Sequence, residues 1–155
     1  MRKVYAATAL CAVAIVAVAA ATGAAAKGPL KVHGKVGVLA TPTNATDSKG
    51  KVKTTSVTVT GKLKTQGTCL GARKIEFIYV TPAGSYSLTE TATSARNGKF
   101  TATLPAPIWP ATSKTNGSAV TLSATAVQVN RKDTKSGQKA KCLEASGIGD
   151  FTDYA

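Results

Sequence analysis

Residues 57–63 read Val57-Thr58-Val59-Thr60-Gly61-Lys62-Leu63. Val57, Val59 and Leu63 fall on one side of a strict alternation, with Thr58, Thr60 and Lys62 on the other. This is the two-residue period of a strand with one buried and one wet face. Its β-branched side chains fit a pleated surface better than a helix. The same pattern recurs outward in both directions. Ile75-Glu76-Phe77-Ile78-Tyr79-Val80 is apolar on nearly both faces, Glu76 excepted, and predicts a central strand. Thr81-Pro82-Ala83-Gly84 ends it. Tyr86 to Ala92 and Lys99 to Leu104 predict two strands joined as a hairpin across Asn97-Gly98, a dipeptide that favours positive φ.

Upstream, Leu30, Val32, Val36 and Val38 alternate with Lys31, His33, Lys35 and Gly37, which reads as one half-buried first strand. Residues 40–55 hold Pro42, Asn44, Asp47, Ser48 and Gly50 among lysines and predict a flexible loop. Downstream, Pro105, Pro107 and Pro110 surround Ile108 and Trp109 in a loop that reaches Ala119. Val120, Leu122, Ala124 and Ala126 then alternate, and the apolar phase slips to Val127 and Val129, as a β-bulge would cause. Asn130 to Lys141 reads as a lysine-rich loop and Cys142 to Ser146 as a last short strand. No long apolar stripe of helical period occurs. About seven short strands at this spacing predict an all-β sandwich.

The N-terminus carries an export pattern. Arg2 and Lys3 precede the apolar run Val4 to Ala21, and Ala24-Ala25-Ala26 offers a small-residue cleavage site before Lys27. Residues 1–26 are therefore expected to be a cleaved secretory signal peptide. A retained anchor competes with that reading, since the run approaches the ~20 residues that span a bilayer, but its alanines make it weakly hydrophobic. Cleavage would leave one domain, residues 27–155, of 129 residues, and would lower the net charge from +13 to +11 by removing Arg2 and Lys3. The expected location is secreted or extracellular, with cell-surface association open and membrane contact only through an uncleaved signal. Cys11 lies inside the signal, so Cys69 and Cys142 remain. In an oxidising exterior they are most simply one disulfide, the alternative being two buried thiols.

The order Val57-Thr58-Val59, Gly61-Lys62, Cys69-Leu70-Gly71-Ala72-Arg73-Lys74-Ile75, Asn97-Gly98-Lys99-Phe100, Leu104-Pro105 and Cys142-Leu143-Glu144-Ala145-Ser146 resembles bacterial secreted domains of the carboxypeptidase-regulatory-like, prealbumin-like type. The resemblance covers about residues 57–146. It implies an Ig-like, Greek-key sandwich of about seven strands with one Cys69–Cys142 disulfide, acting as a non-catalytic module at a cell surface or beside secreted enzymes. The stretch between Leu104 and Val120 departs from that pattern, because the Trp109 loop stands where a short approach to the next strand is usual.

Catalysis needs protonatable or nucleophilic groups in mutual reach, and few are present. His33, the one histidine, falls on the solvent side beside Lys31 and Lys35. No Gly-x-Ser-x-Gly, Cys-x-x-Cys, His-Glu-x-x-His or phosphate-cradling glycine pattern occurs. The expectation is a non-enzymatic protein with no catalytic residue, no metal and no cofactor. The candidate partner-binding residues are Ile108 and Trp109 in the proline loop and Arg131, Lys132, Lys135, Lys139 and Lys141 near the C-terminus. Three uses compete: a structural or partner-binding module, an electrostatic binder of extracellular polyanions that adds Lys31, Lys35, Lys49, Lys51 and Lys53, and an inhibitor of a secreted hydrolase with Trp109 as anchor. The partner would be an extracellular protein or an anionic polymer. Specific nucleic-acid recognition is not expected, since Tyr79, Tyr86 and Phe100 fall at core positions rather than among the lysines. The chain is expected to be a monomer.

Overall fold

A computed structural model of the chain describes residues 28–109, 117–133 and 136–154. The expected signal peptide, residues 1–26, lies outside the described residues, as do Lys135 and Pro110. The described chain is all-β, with ten strands rather than seven: β1 (Leu30–Val32), β2 (Lys35–Thr46), β3 (Val52–Lys64), β4 (Lys74–Thr81), β5 (Gly84–Thr93), β6 (Lys99–Pro105), β7 (Ser118–Ala126), β8 (Val129–Lys132), β9 (Lys139–Cys142) and β10 (Ala145–Asp153). A single turn of 3-10 helix, Gly67–Cys69, precedes β4. The strands form a four-stranded sheet of order β10-β7-β4-β5, a three-stranded sheet β2-β3-β6 and a small sheet β1-β9-β8.

The core lies between the two larger sheets. On β3 the alternation holds as expected: Val57, Val59 and Leu63 are buried, opposite Leu104, Ala102 and Gly98 of the β6 side. Facing them, β4 offers Ile75, Phe77 and Tyr79 and β7 offers Val120, Leu122, Ala124 and Ala126. Side-chain size falls across this sheet. Phe77 pairs with Ala124, which continues to Gly147 on β10, and Tyr79 pairs with Leu122, which continues to Gly149. The sheets are thus held apart where Phe77 meets Phe100, at 6.3 Å between ring centroids, and close together where β10 meets β2. A Cβ on Gly147 would stand 1.9 Å from the Val36 carbonyl oxygen, so only glycine allows that backbone approach.

Several sequence expectations change. The expected first strand is two, because the chain leaves the small sheet at His33-Gly34 and enters the three-stranded sheet at Lys35. The expected loop of residues 40–55 is mostly a β-hairpin of β2 and β3. Its tip is tight, since Asp47 Oδ1 accepts the backbone N–H groups of Lys49 and Lys51 at 2.8 and 2.9 Å. A bulge opposite Thr43/Asn44 rotates Thr54 inward. Strand β4 is central, between β5 and β7, but its outer face is only half covered and Val80 is exposed. Asn97-Gly98 makes the expected turn, with Gly98 at φ +80°, yet β5 and β6 belong to different sheets, so it is a crossing between sheets and not a hairpin. The tight hairpin is instead β4–β5, across Pro82-Ala83. The phase slip after Ala126 is likewise a change of sheet rather than a bulge, because Val129 opens β8 in the small sheet. The expected lysine-rich loop contains β8 and β9, and the last short strand is the end of β9 followed by nine-residue β10.

Candidate binding surfaces

Cys69 and Cys142 form the disulfide, with Cα atoms 5.6 Å apart. Both are fully buried and pack with Val32 and Ala140, with half-buried Val129 alongside. This second, small core holds the inner face of β1, β9 and β8, and the period of two then sends the intervening residues to the outer face.

That outer face carries Lys31 of β1, Lys139 and Lys141 of β9, and Asn130 and Lys132 of β8. Lys31 lies directly opposite Lys141, and Lys132 directly opposite Lys139. Like charges facing each other across strands disfavour the pairing. Among the described residues no acidic side chain occupies these rows. The carboxylate of Asp133, just past β8, is turned to the loop, where it accepts from Thr68 Oγ1 at 2.8 Å and from the Ser136 backbone N–H at 2.9 Å.

Arg131 belongs to the other side of β8. Its Nη2 donates to the carbonyl oxygens of Gly71 at 3.1 Å and Ala72 at 2.8 Å, where Ala72 takes a positive φ of +51°. Of the expected partner-binding cations, Lys132, Lys139 and Lys141 therefore share one face, while Arg131 holds the turn before β4. Lys49, Lys51 and Lys53 sit around the β2–β3 tip, away from that face.

The proline loop does not present Trp109. This side chain is 8% exposed and donates its Nε1–H to Asp153 Oδ2, a carboxylate that is itself 2% exposed. Ile108 beside it is 74% exposed, and its backbone N–H donates to the Tyr86 hydroxyl at 2.6 Å. Tyr79 packs edge-on against Tyr86 and Phe151 and donates its hydroxyl to the Pro105 carbonyl at 3.0 Å. Trp109 thus plugs one end of the core.

Burial raises the phenol pKa of Tyr79 well above its ordinary value, with Tyr86, Asp153 and Glu90 adding to the shift, and burial raises that of Tyr86 as well. An unfolded tyrosine ionises near pH 10, so above that pH the unfolded state holds fewer protons than the folded one. Stability is therefore complete below about pH 10 and falls above it, by up to about 1.4 kcal/mol per pH unit for Tyr79 and by less for the part-exposed Tyr86. Urea unfolding from about pH 9 to about pH 11 should show this fall, and Tyr79→Phe should make it shallower. An equal slope in wild type and variant would remove Tyr79 as a cause.

Sequence reasoning missed Arg73 and Asp153. Both share the inward parity of their strands, Arg73 with Ile75 and Phe77, and Asp153 with Phe151. The signal was present but polar side chains are read as exposed. Among the described residues no three His, Cys, Asp or Glu side chains are grouped to hold a metal ion, and no helix is long and apolar enough to cross a membrane. No family model, curated protein or solved structure matches the chain.

Proposed function

We propose that the chain is a secreted, non-enzymatic β-sandwich module, of the Greek-key Ig-like or prealbumin-like kind, which meets an anionic polymer outside the cell. The observation that carries this reading is the lysine face of β1, β9 and β8, with its two like-charged cross-strand pairs. Such pairs oppose folding, and a bound anion would relieve them. The Cys69–Cys142 disulfide supports an oxidising compartment. The inhibitor reading loses support, since an anchor must be free to enter a pocket and Trp109 is tied to Asp153.

The test is retention on heparin resin against a neutral resin. Binding at low salt that weakens steeply by moderate salt is expected. Lys132→Gln with Lys139→Gln should elute clearly earlier, with a melting temperature no lower than that of the wild type, since the like-charged pair is removed. Retention no better than on the neutral resin would end the proposal.

A further inference from the structure

We infer that the polymer is a linear acidic polysaccharide lying along a track that leaves the lysine face of β1, β9 and β8 and continues onto the outer face of β2, β3 and β6; this rests on the polyanion reading above. Continuity comes first from the chain itself. From Lys31 to Ala40 the larger side chains alternate between outward and inward with no phase slip, although the chain changes sheet at His33-Gly34. Lys31, His33 and Lys35 are all exposed and share that outward parity. The change of sheet is pinned to the end of β3, where Thr65 Oγ1 donates to the His33 carbonyl at 2.8 Å.

The next rows repeat the electrostatic pattern of the small sheet. Lys35 lies opposite Lys64, and Lys62 opposite Lys99, all four exposed. Gly37 completes the second row and leaves a shallow depression beside Lys62. Beyond it the rows hold exposed Leu39 with Thr60 and Thr101, and then three hydroxyls, Thr41, Thr58 and Thr103. Among the described residues none of these rows holds an acid, whereas Glu76 and Asp150 lie on the outer face of the four-stranded sheet.

Length and side-chain chemistry then select the occupant. By register, the stations from Lys139 to Lys62 lie about eight residue steps apart along β1 and β2, a path of at most about 26 Å. A single small anion cannot meet cations over that length, whereas an extended chain of repeated charges can. Among the described residues the track exposes amines, hydroxyls and the Leu39 side chain, and its one exposed ring is the His33 imidazole, so it offers successive bases no row of rings to stack on, while sugar hydroxyls find hydrogen-bond partners among the threonines.

The experiment is calorimetric titration of the purified protein with a heparin tetrasaccharide and a heparin dodecasaccharide at two salt concentrations. The dodecasaccharide should bind tighter by about tenfold or more. Lys62→Gln with Lys99→Gln should erase that advantage and lower the salt slope by about two, leaving the tetrasaccharide affinity within about twofold. Lys53→Gln, at the β2–β3 tip, should change nothing. If Lys62→Gln with Lys99→Gln keeps full dodecasaccharide affinity while Lys132→Gln with Lys139→Gln loses it, the track fails and the small-sheet site stands. If neither pair matters, both readings fail. Single-stranded DNA of matched charge that displaces the dodecasaccharide equally well would overturn the choice of polysaccharide.

Discussion

Arg73→Met is expected to destabilise the domain by about 3 kcal/mol, a large share of the roughly 5–15 kcal/mol that holds a domain folded. Arg73 is 2% exposed, and its guanidinium donates to three carbonyl oxygens, Val127 at 2.8 Å and Ala126 and Leu143 at 2.9 Å. These carbonyls stand where the chain leaves the four-stranded sheet after β7 and where it returns after β9. One side chain therefore joins the small sheet to the main core. Burial lowers its pKa, and the nearby Arg131 adds to that effect, so keeping a cation there is costly. Replacing a buried ion by an apolar side chain can be neutral when its partner is removed too. Here the partners are backbone carbonyls, which no substitution removes, so the loss of three charge-assisted bonds outweighs the relief of desolvation. Lysine carries the charge but lacks the planar fork, so Arg73→Lys should recover only part of the stability. Urea unfolding is the measurement: a lower midpoint at constant slope is expected, and a Met variant within about 0.5 kcal/mol of wild type would refute the joining role.

The same residue shows what could be read from the sequence. Alternation alone assigns the inner faces of β3 and β7, Val57 to Leu63 and Val120 to Ala126, because burying one face of a strand forces a period of two, whereas β4 is apolar on nearly both faces and its inner side is set only by the sheet that packs on it. Arg73 and Asp153 obey that period, and only their polarity hid them. Strand β10 was hidden for the opposite reason. Its inward positions hold Gly147 and Gly149, since β2 lies too close for side chains, and glycine carries no hydrophobic signal. Strands β8 and β9 escaped because their inner face needs only Val129, Ala140 and Cys142. Asn97-Gly98 fixed a turn but not the partners of the strands beside it, which depend on contacts distant in sequence. On the candidate surface, the lysines were visible as composition. Their grouping into facing pairs, and the separation of Arg131 from them, required the register of the small sheet.

Breaking the disulfide, by reduction or by Cys69→Ala with Cys142→Ala, is expected to cost about 4 kcal/mol in the chain-entropy model for a separation of 73 residues. The loss should fall on the small sheet before the main core. Strand β1 has three residues and β8 and β9 four each, and their inner face buries one valine, one alanine and the cysteines, with Val129 half-covered. So small an apolar patch offsets little of the ordering entropy of the strands it holds, and the outer lysine pairs work against it. With the bridge intact, Cys142 is held to the turn before β4, and Arg73 and Arg131 reinforce the same junction. Without it, amide hydrogen exchange should rise in β8 and β9 well before it rises in β4 or β7. Thermal melting should drop by about 10 °C or more. Heparin affinity should fall with it, because the lysine rows exist only while β1, β9 and β8 stay paired. Uniform exchange loss across all sheets would place the bridge in the global core instead, and a reduced protein that keeps both its melting temperature and its heparin affinity would show that packing alone sets the lysine face.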